Sequence, residues 1–313
     1  MKNIRIIAPS GSIASRLSDA KLKVENVYHN LGMQVSYGQH INEVDEFFSS
    51  SIASRVLDIH DAFQDSSVNF IQAATGGSNS NQLLTYLDYA LISHNPKPIL
   101  GQSDTTALLN AIYAKTGVIT YHGPHFNTLL KNLNSNYTIS WLKYFLNKTT
   151  DWIDVEPSPS FGEKQIHDTP NNGYWVINEG MADGLIVGGN LPTLSLLQGT
   201  PYMPDLKDKI LFIEYDGMVG EFVPEEFDRD LQSLLQQSNA NKIKGLVLGR
   251  FTSNANMTHE KLQKILETKR ELKNIPVIAN VDFGHTNPTI IFPIGGNCQL
   301  KVGKDIILKI KLF

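Results

Sequence analysis

The feature that most constrains the fold is an alternation in the first half of the chain. Short apolar runs at 4–8, 34–37, 68–73, 98–101 and 118–121 are separated by segments of helical period near 17–32, 50–64, 80–91 and 105–115. Strands alternating with helices at this spacing form parallel sheets, because a parallel neighbour is reached only through a crossover, usually helical. Most of the runs are continuously apolar instead of alternating, as strands covered on both faces should be. The pattern therefore predicts an α/β layer in which a parallel sheet is sandwiched by helices.

From about 147 to 172 the periodicity vanishes in "NKTTDWIDVEPSPSFGEKQIHDTPNN", where Pro, Ser, Asp and Asn dominate. Such a stretch is a linker or a long functional loop. A second, strand-rich half follows. Its candidate strands lie at 174–178, 185–188, 210–215, 245–248, 277–280, 289–293, 299–302 and 306–312, with helices near 224–237 and 258–271. The expected organisation is an N-terminal α/β domain over 1–148, a linker and mobile loop over 149–175, and a strand-rich C-terminal α/β domain over 176–313. A cleft between two such domains is a common place for a small ligand.

Charge narrows the partners. Lys and Arg total 27 against 31 Asp and Glu, a net charge of -4, so nucleic acid is not expected as a partner, because phosphate contacts need a basic face. Nowhere do about 18 apolar residues run together, so no membrane span is expected either. The opening "MKNIRIIAPSG" reads as a strand and a turn and lacks the apolar core of a signal peptide, and the expected location is the cytoplasm. The single cysteine, Cys298, lies in an apolar stretch and is assigned to packing.

The chemistry concentrates at the ends of strands. In "ILGQSDTTALLNAIY", Ser103 stands where an apolar strand turns into a helix. A serine on such a turn is exposed at the carboxyl edge of a sheet, and the N–H of Asp104 at the helix start is free to face an oxyanion. This is the logic of a nucleophile elbow, although Thr105 departs from the hydrolase pattern G-x-S-x-G, and a plain N-cap serine is the alternative. A serine nucleophile needs a base, and the base an orienting group. Of the nine histidines, His285 in "ANVDFGHTNP" lies in a Gly/Asn/Pro turn after a strand, where side chains reach a cleft. His122 and His125 form an H-x-x-H without an evident third metal ligand, and His60 sits on a helix as an ordinary polar residue. For the orienting carboxylate, Glu214 ends the apolar run "KILFIE", and burying it unpaired would be costly. Asp216 and Asp282 are its rivals. "TGGSNSNQLL" at 75–84 and "GLIVGGN" at 184–190 are glycine turns; the first could bind negative charge through its N–H groups, but neither carries a nucleotide-binding fingerprint.

Taken in order, "ATGGSNSNQLLTYLDY", "ILGQSDTTALLNAIYAKTG", "YHGP", "ADGLIVGGNLPTL", "LFIEYDG" and "FGHTNP" resemble the LD-carboxypeptidase family of serine peptidases across most of the chain. The resemblance implies a Ser103–His285–Glu214 triad assembled from two domains, with oxyanion donors from the N–H groups of Gly77 and Asp104. It implies no metal or organic cofactor and a homodimer. Two departures stand out: Gln102 replaces the family's aromatic before the serine, and Thr75 replaces the arginine that murein-peptide-cleaving members tend to carry before the Gly-Gly pair. The latter points to the microcin C self-immunity (MccF-like) branch, which cleaves an amide joining an aspartyl group to a modified nucleotide. The expected substrate is thus an aminoacyl- or peptidyl-nucleotide, with murein tetrapeptide as the alternative. Ser78, Asn79, Trp152, Tyr174 and Trp175 are the candidate substrate-binding residues. A catalytically inactive binding protein on the same scaffold would bind ligand without turnover, and a nucleotide-dependent enzyme using the glycine turns would require added nucleotide or Mg²⁺.

Overall fold

The computed structural model describes residues 1–12, 18–163 and 169–313. The first position of the helix expected near 17 and part of the 149–175 segment lie outside them. Two sheets organise the chain. The first has the order Phe292–Ile294, Thr120–His122, Ile99–Gly101, Phe70–Ala73, Lys2–Ile7, Met33–Tyr37, and all neighbours are parallel except the first pair. Its central strands are buried along their whole length, as their continuous apolar runs require.

The second sheet has eight strands in the order Trp152–Asp154, Ile307–Lys311, Asn297–Val302, Gly180–Asn190, Lys209–Glu214, Gly245–Arg250, Val277–Gly284, Trp175–Asn178. Four neighbouring strands at its centre, from 180–190 to 277–284, are parallel, and the flanking pairs are antiparallel. The fold is therefore α/β, with a parallel-rich N-terminal sheet and a strand-rich C-terminal part.

The structure departs from the sequence-based expectation in three places. The run at 80–91 divides into a 3-10 turn, Ser80–Leu83, and a helix, Tyr89–His94, because Asp88 caps a new helix through Leu91 N. A helix at Asn136–Leu146, capped by Ser135, lies where no helix is expected, and its Trp141, Leu142 and Phe145 are buried. The 149–175 segment is not featureless: Trp152–Asp154 pairs with the C-terminal strand, and Ser160–Phe161 pairs with Thr169–Pro170.

The two halves are interlocked. Strand Phe292–Ile294, late in the chain, closes the edge of the first sheet, and the Tyr121 hydroxyl donates to Leu312 O at 2.9 Å. The helix Thr106–Thr116 is buried from Thr106 to Ile112, because it lies between the first sheet and the strand Gly180–Asn190. The uncharged segment "TALLNAI", in which only Thr106 and Asn110 are polar, suits that position. Leu108, Leu109 and Ile112 are each fully buried, worth about 1.5–3 kcal/mol apiece in removed apolar surface. Gly188 and Gly189 let the strand approach this closely. Their φ values are +139° and +124°, and a Cβ on Gly189 would stand 2.6 Å from Thr106 Oγ1. Asn110 Nδ2 donates to Gly188 O at 2.8 Å, and Asn190 N donates to Thr106 Oγ1 at 3.0 Å. This contact fixes the carboxyl ends of strands 99–101 and 209–214 relative to one another. Among the described residues no helix is long and apolar enough to cross a membrane.

Candidate active site

The strand Ile99–Gly101 ends at Gln102, and the chain turns at Ser103 with φ +53°. A left-handed conformation in a non-glycine residue costs about 1–2 kcal/mol and persists only where its surroundings enforce it. Here they do. His125 Nε2 accepts from Gln102 N at 3.1 Å and lies 3.0 Å from Thr105 Oγ1, bracketing the turn from both sides. Burial, followed by the neighbouring His285, pushes the His125 imidazole down to about 3, so it is neutral at physiological pH. With Nε2 as acceptor, its proton resides on Nδ1.

The Asp104 carboxylate fastens a second loop to this turn. It accepts from Asn79 N at 3.1 Å, from Ser80 N at 2.9 Å and from the Ser10 hydroxyl, while Ser80 Oγ donates to Asp104 O at 2.6 Å. The Gly76–Asn79 loop is thereby held against Ser103: a Cβ on Gly76 would lie 3.5 Å from Ser103 Cβ. The first bond of the turn after Ser103 runs from Thr105 N to Gln102 O, so the Asp104 N–H is not spent on it.

From the second sheet, strand Lys209–Glu214 ends in the carboxylate and strand Val277–Gly284 ends just before the imidazole. His285 Nε2 lies 3.2 Å from Ser103 Oγ, and His285 Nδ1 lies 2.8 Å from Glu214 Oε2. Glu214 is 0% exposed at its side chain and His285 28%. Two glycines open the slot for the carboxylate. A Cβ on Gly249 would lie 2.9 Å from Glu214 Cβ, and one on Gly284, where φ is +109°, would lie 3.1 Å from Glu214 Oε2. Burial disfavours the His285 cation, but the charge and hydrogen bond of Glu214 outweigh it and hold the imidazole above its ordinary value, with Lys131 acting in the opposite sense. Hydroxyl, imidazole and carboxylate thus stand in the order that allows proton removal from Ser103 and storage of the resulting positive charge beside Glu214.

The rival carboxylates are engaged elsewhere. Asp282 forms a buried pair with Arg250 at 2.7 Å and accepts from Ser158, and Asp216 accepts from Asn190 Nδ2 at 3.2 Å and from Met218 N. His122 is fully buried and stacked on Phe292 at 4.5 Å, with its pKa pushed down by burial to about 3, and His60 Nε2 accepts from Asp88 N. Among the described residues no group of three or more His, Cys, Asp and Glu side chains is arranged to hold a metal ion.

A cavity of about 550 Å³ opens over Ser103 and His285, within the usual size of a small-molecule site. Gly77, Ser78, Asn79, Thr75 and Gln102 line it. The three loop aromatics are a correction: Trp152, Tyr174 and Trp175 do not line this cavity. Trp152 sits on an edge strand opposite Lys311, the Tyr174 hydroxyl is bonded to Val155 O, and Trp175 packs on His259 at 5.3 Å. Trp175 faces a separate cavity with Phe161 and Arg250. The aromatics at the Ser103 cavity are instead Phe47 and Phe48, 73% and 66% exposed, accompanied by Met218. Lys131 also lines it. The signal for the phenylalanines was present in "VDEFFSS", two adjacent aromatics in an otherwise polar stretch, whereas nothing local in "LLKNLN" marks Lys131.

Comparison with known proteins agrees with this architecture. Residues 4–123 match the LD-carboxypeptidase N-terminal domain and residues 183–300 the LD-carboxypeptidase C-terminal domain. The chain is 44% identical over 307 residues to a Bacillus subtilis protein named "Putative carboxypeptidase YocD", covering 95% of this chain and 93% of that one. It is 29% identical over 287 residues to the microcin C7 self-immunity protein MccF of Escherichia coli, covering 84% and 80%. A crystal structure of an MccF-like protein from Bacillus anthracis superimposes with a TM-score of 0.97 at 43% identity, covering 100% of this chain and 97% of the other. The chain belongs to the LD-carboxypeptidase family of serine peptidases.

Proposed function

We propose that the protein hydrolyses an amide bond through a Ser103–His285–Glu214 triad. The observation that carries this reading is the unbroken hydrogen-bonded chain from Ser103 Oγ through the imidazole to a buried carboxylate. Ser103 Oγ attacks the carbonyl carbon while its proton passes to His285 Nε2. The oxyanion is received by the N–H groups of Asp104 and Gly77, which the Asp104 carboxylate holds in position through the 76–80 loop. His285 returns the proton to the departing nitrogen, the C–N bond breaks, and an acyl group remains on Ser103. Water, deprotonated by the same imidazole, then releases the acid. Glu214 keeps the Nδ1–H tautomer and stabilises the imidazolium in both steps. No metal or organic cofactor enters the scheme.

The favoured substrate is an aminoacyl- or peptidyl-nucleotide, a reading supported by the MccF structures in complex with aspartyl sulfamoyl adenosine and glutamyl sulfamoyl guanosine. Thr75 stands where an arginine would pair with a peptide carboxylate, and its hydroxyl accepts from Asn127 Nδ2. Phe47 and Phe48 at the mouth offer faces on which a base can stack. Cleavage of a murein peptide is the second reading, favoured by one observation: Lys131 brings a cation to the same cavity. Cytoplasmic location and a homodimer belong to the same proposal. Parallel hydrolysis assays on aspartyl sulfamoyl adenosine and on a peptide ending in D-alanine test it, with a chelator added. Hydrolysis of the nucleotide conjugate, insensitive to chelator and absent in Ser103→Ala, is the expected result. Efficient release of D-alanine with no cleavage of the nucleotide conjugate would establish the second reading, and chelator-sensitive turnover would remove the triad.

A further inference from the structure

The helix Ile52–Gln64 buries one stripe, residues 55, 58, 59, 62 and 63, at helical spacing. Arg55 opens that stripe, where the period alone would place an apolar side chain, and it is only 3% exposed. A guanidinium keeps its charge when buried, so its donors must be met. Neutral oxygens meet them. Arg55 Nη1 donates to Pro9 O at 3.3 Å, to Asn79 O at 3.2 Å and to Asn79 Oδ1 at 3.0 Å, and Nη2 donates to Gln82 Oε1 at 2.8 Å. Burial disfavours the cation, while the carboxylates of Asp45 and Asp104 act in the opposite sense. A leucine would fill the same stripe without this desolvation cost, so packing does not account for the residue.

The acceptors lie on two segments that meet beside Ser103. Gly11 N donates to Gly76 O at 3.1 Å. The peptide between Gly76 and Gly77 is trans, so its C=O and N–H point in opposite directions, and the bond from Gly11 sets the direction of the Gly77 N–H. No described residue accepts from that N–H. The contact has no slack: a Cβ on Gly11 would stand 2.6 Å from Gly76 O, and one on Gly77 would stand 2.2 Å from Ser10 Oγ. Arg55 holds both sides of it, through Pro9 just before the 10–11 turn and through Asn79 just after the Gly-Gly pair. Asn79 N in turn donates to the Asp104 carboxylate, which also accepts from the Ser10 hydroxyl. Gly11, Gly77 and Asn79 line the Ser103 cavity, whereas Arg55 lies behind them and does not.

We propose that Arg55 is a positioning residue for the hydrolysis: its guanidinium clamps the 9–11 turn to the 76–79 loop and so aims the Gly77 N–H at the oxyanion formed when Ser103 attacks. The proposal rests on the reading of Ser103 as nucleophile and Gly77 as oxyanion donor, and adds a residue that never touches substrate. The clamp needs a planar fork. A lysine ammonium is a point donor and cannot hold Pro9 O, Asn79 and Gln82 at once. Because the oxyanion exists only after attack, a loosened donor should cost kcat and spare binding of the uncleaved substrate.

The test compares wild type, Arg55→Lys and Gln82→Ala, each normalised to its folded fraction by urea unfolding. Gln82 is exposed, lies outside the cavity and touches only the Nη2 anchor, so its variant probes the clamp from a position that leaves the core intact. The substrate is whichever of aspartyl sulfamoyl adenosine and a D-alanine-ended peptide the wild type cleaves. In Arg55→Lys, kcat should fall about 10- to 100-fold, less than the full loss of an oxyanion donor, with KM within about threefold. Gln82→Ala should show the same split at smaller amplitude. Phosphonylation of Ser103 by a fluorophosphonate, whose P=O oxygen takes the place of the oxyanion, should slow in proportion to kcat. Calorimetry on Ser103→Ala and Ser103→Ala/Arg55→Lys should give equal affinities for the uncleaved substrate. Hydrogen exchange should quicken at 9–11 and 76–80 in both variants, with other segments unchanged. That local quickening, found with no turnover of either substrate by wild type, would uphold the clamp and remove the hydrolase reading. Equal losses of kcat and substrate affinity, phosphonylation that does not follow kcat, or unchanged exchange at 76–80 would overturn the proposal.

Discussion

Replacing Glu214 by Gln changes one atom of the proposed site and almost nothing of its volume. The carboxylate accepts from His285 Nδ1 at 2.8 Å, so the proton resides on Nδ1 and Nε2 is free to take the Ser103 proton. A glutamine amide can instead donate to Nδ1, which puts the imidazole proton on Nε2, facing Ser103 Oγ, and leaves no base. It also withdraws the charge that stabilises the imidazolium. The corresponding change from carboxylate to amide in a serine protease triad costs about 10⁴ in kcat, which at 1.36 kcal/mol per decade is about 5.4 kcal/mol of transition-state stabilisation. His285→Ala removes the base outright and should cost more.

The pH profile supplies an independent check. Glu214 holds the His285 pKa above its ordinary value, and the neutral imidazole is the active form, so the acid limb of kcat/KM should lie above pH ~6.5 in wild type. In Glu214→Gln, burial is left to act without its main opponent, and the limb should move to lower pH. Stability follows the same sign. A raised histidine pKa stabilises the fold fully below the unfolded value of about 6.5, and that contribution is lost as pH rises through the folded value. The variant should therefore lose more stability near pH 6 than near pH 9. Steady-state kinetics from pH 5 to 9, with urea unfolding at both ends, would read all three effects. A Glu214→Gln enzyme within tenfold of wild type and with an unmoved acid limb would refute the assignment of the orienting carboxylate, most damagingly if Asp216→Asn or Asp282→Asn were the worse lesion.

Gly189→Ala should lower stability by about 3 kcal/mol or more and depress kcat in the fraction that folds, because the added methyl meets Thr106 Oγ1 at a backbone φ of +124° and pushes the two halves of the site apart; denaturant unfolding with parallel kinetics checks this. Phe47→Ala and Phe48→Ala should each raise KM for a nucleotide-bearing substrate by about five- to tenfold, the lower part of the range for base stacking, and leave stability nearly unchanged, since both rings are mainly exposed. Equal KM effects on a substrate without a base would show that the rings exclude water instead of stacking.

Much of the architecture was legible because period and burial are local signals. The continuous apolar runs at 68–73 and 98–101 correspond to strands buried on both faces, and the apolar helix that follows Ser103 lies between the two sheets. Convergence was not local. Nothing near Glu214 distinguishes it from Asp216 or Asp282; the distinction comes from slots cut by Gly249 and Gly284 and from Arg250, which claims Asp282. The loop aromatics misled for a related reason. The family resemblance draws Trp152 and Trp175 to the site as flanks of its substrate-binding loop, but strand pairing at the edges of the second sheet fixes where they lie. Phe47, Phe48 and Lys131 reach the cavity from segments whose own pattern says only that they are surface.

The central claim is that Ser103 is a nucleophile activated by His285. The most direct measurement is intact-protein mass spectrometry after treatment with a fluorophosphonate, with peptide mapping and in the presence of a chelator. One adduct per chain is expected, located on Ser103, formed undiminished by the chelator, absent in Ser103→Ala and strongly slowed in His285→Ala. An adduct on another residue, or labelling of Ser103 that is indifferent to loss of His285, would contradict it.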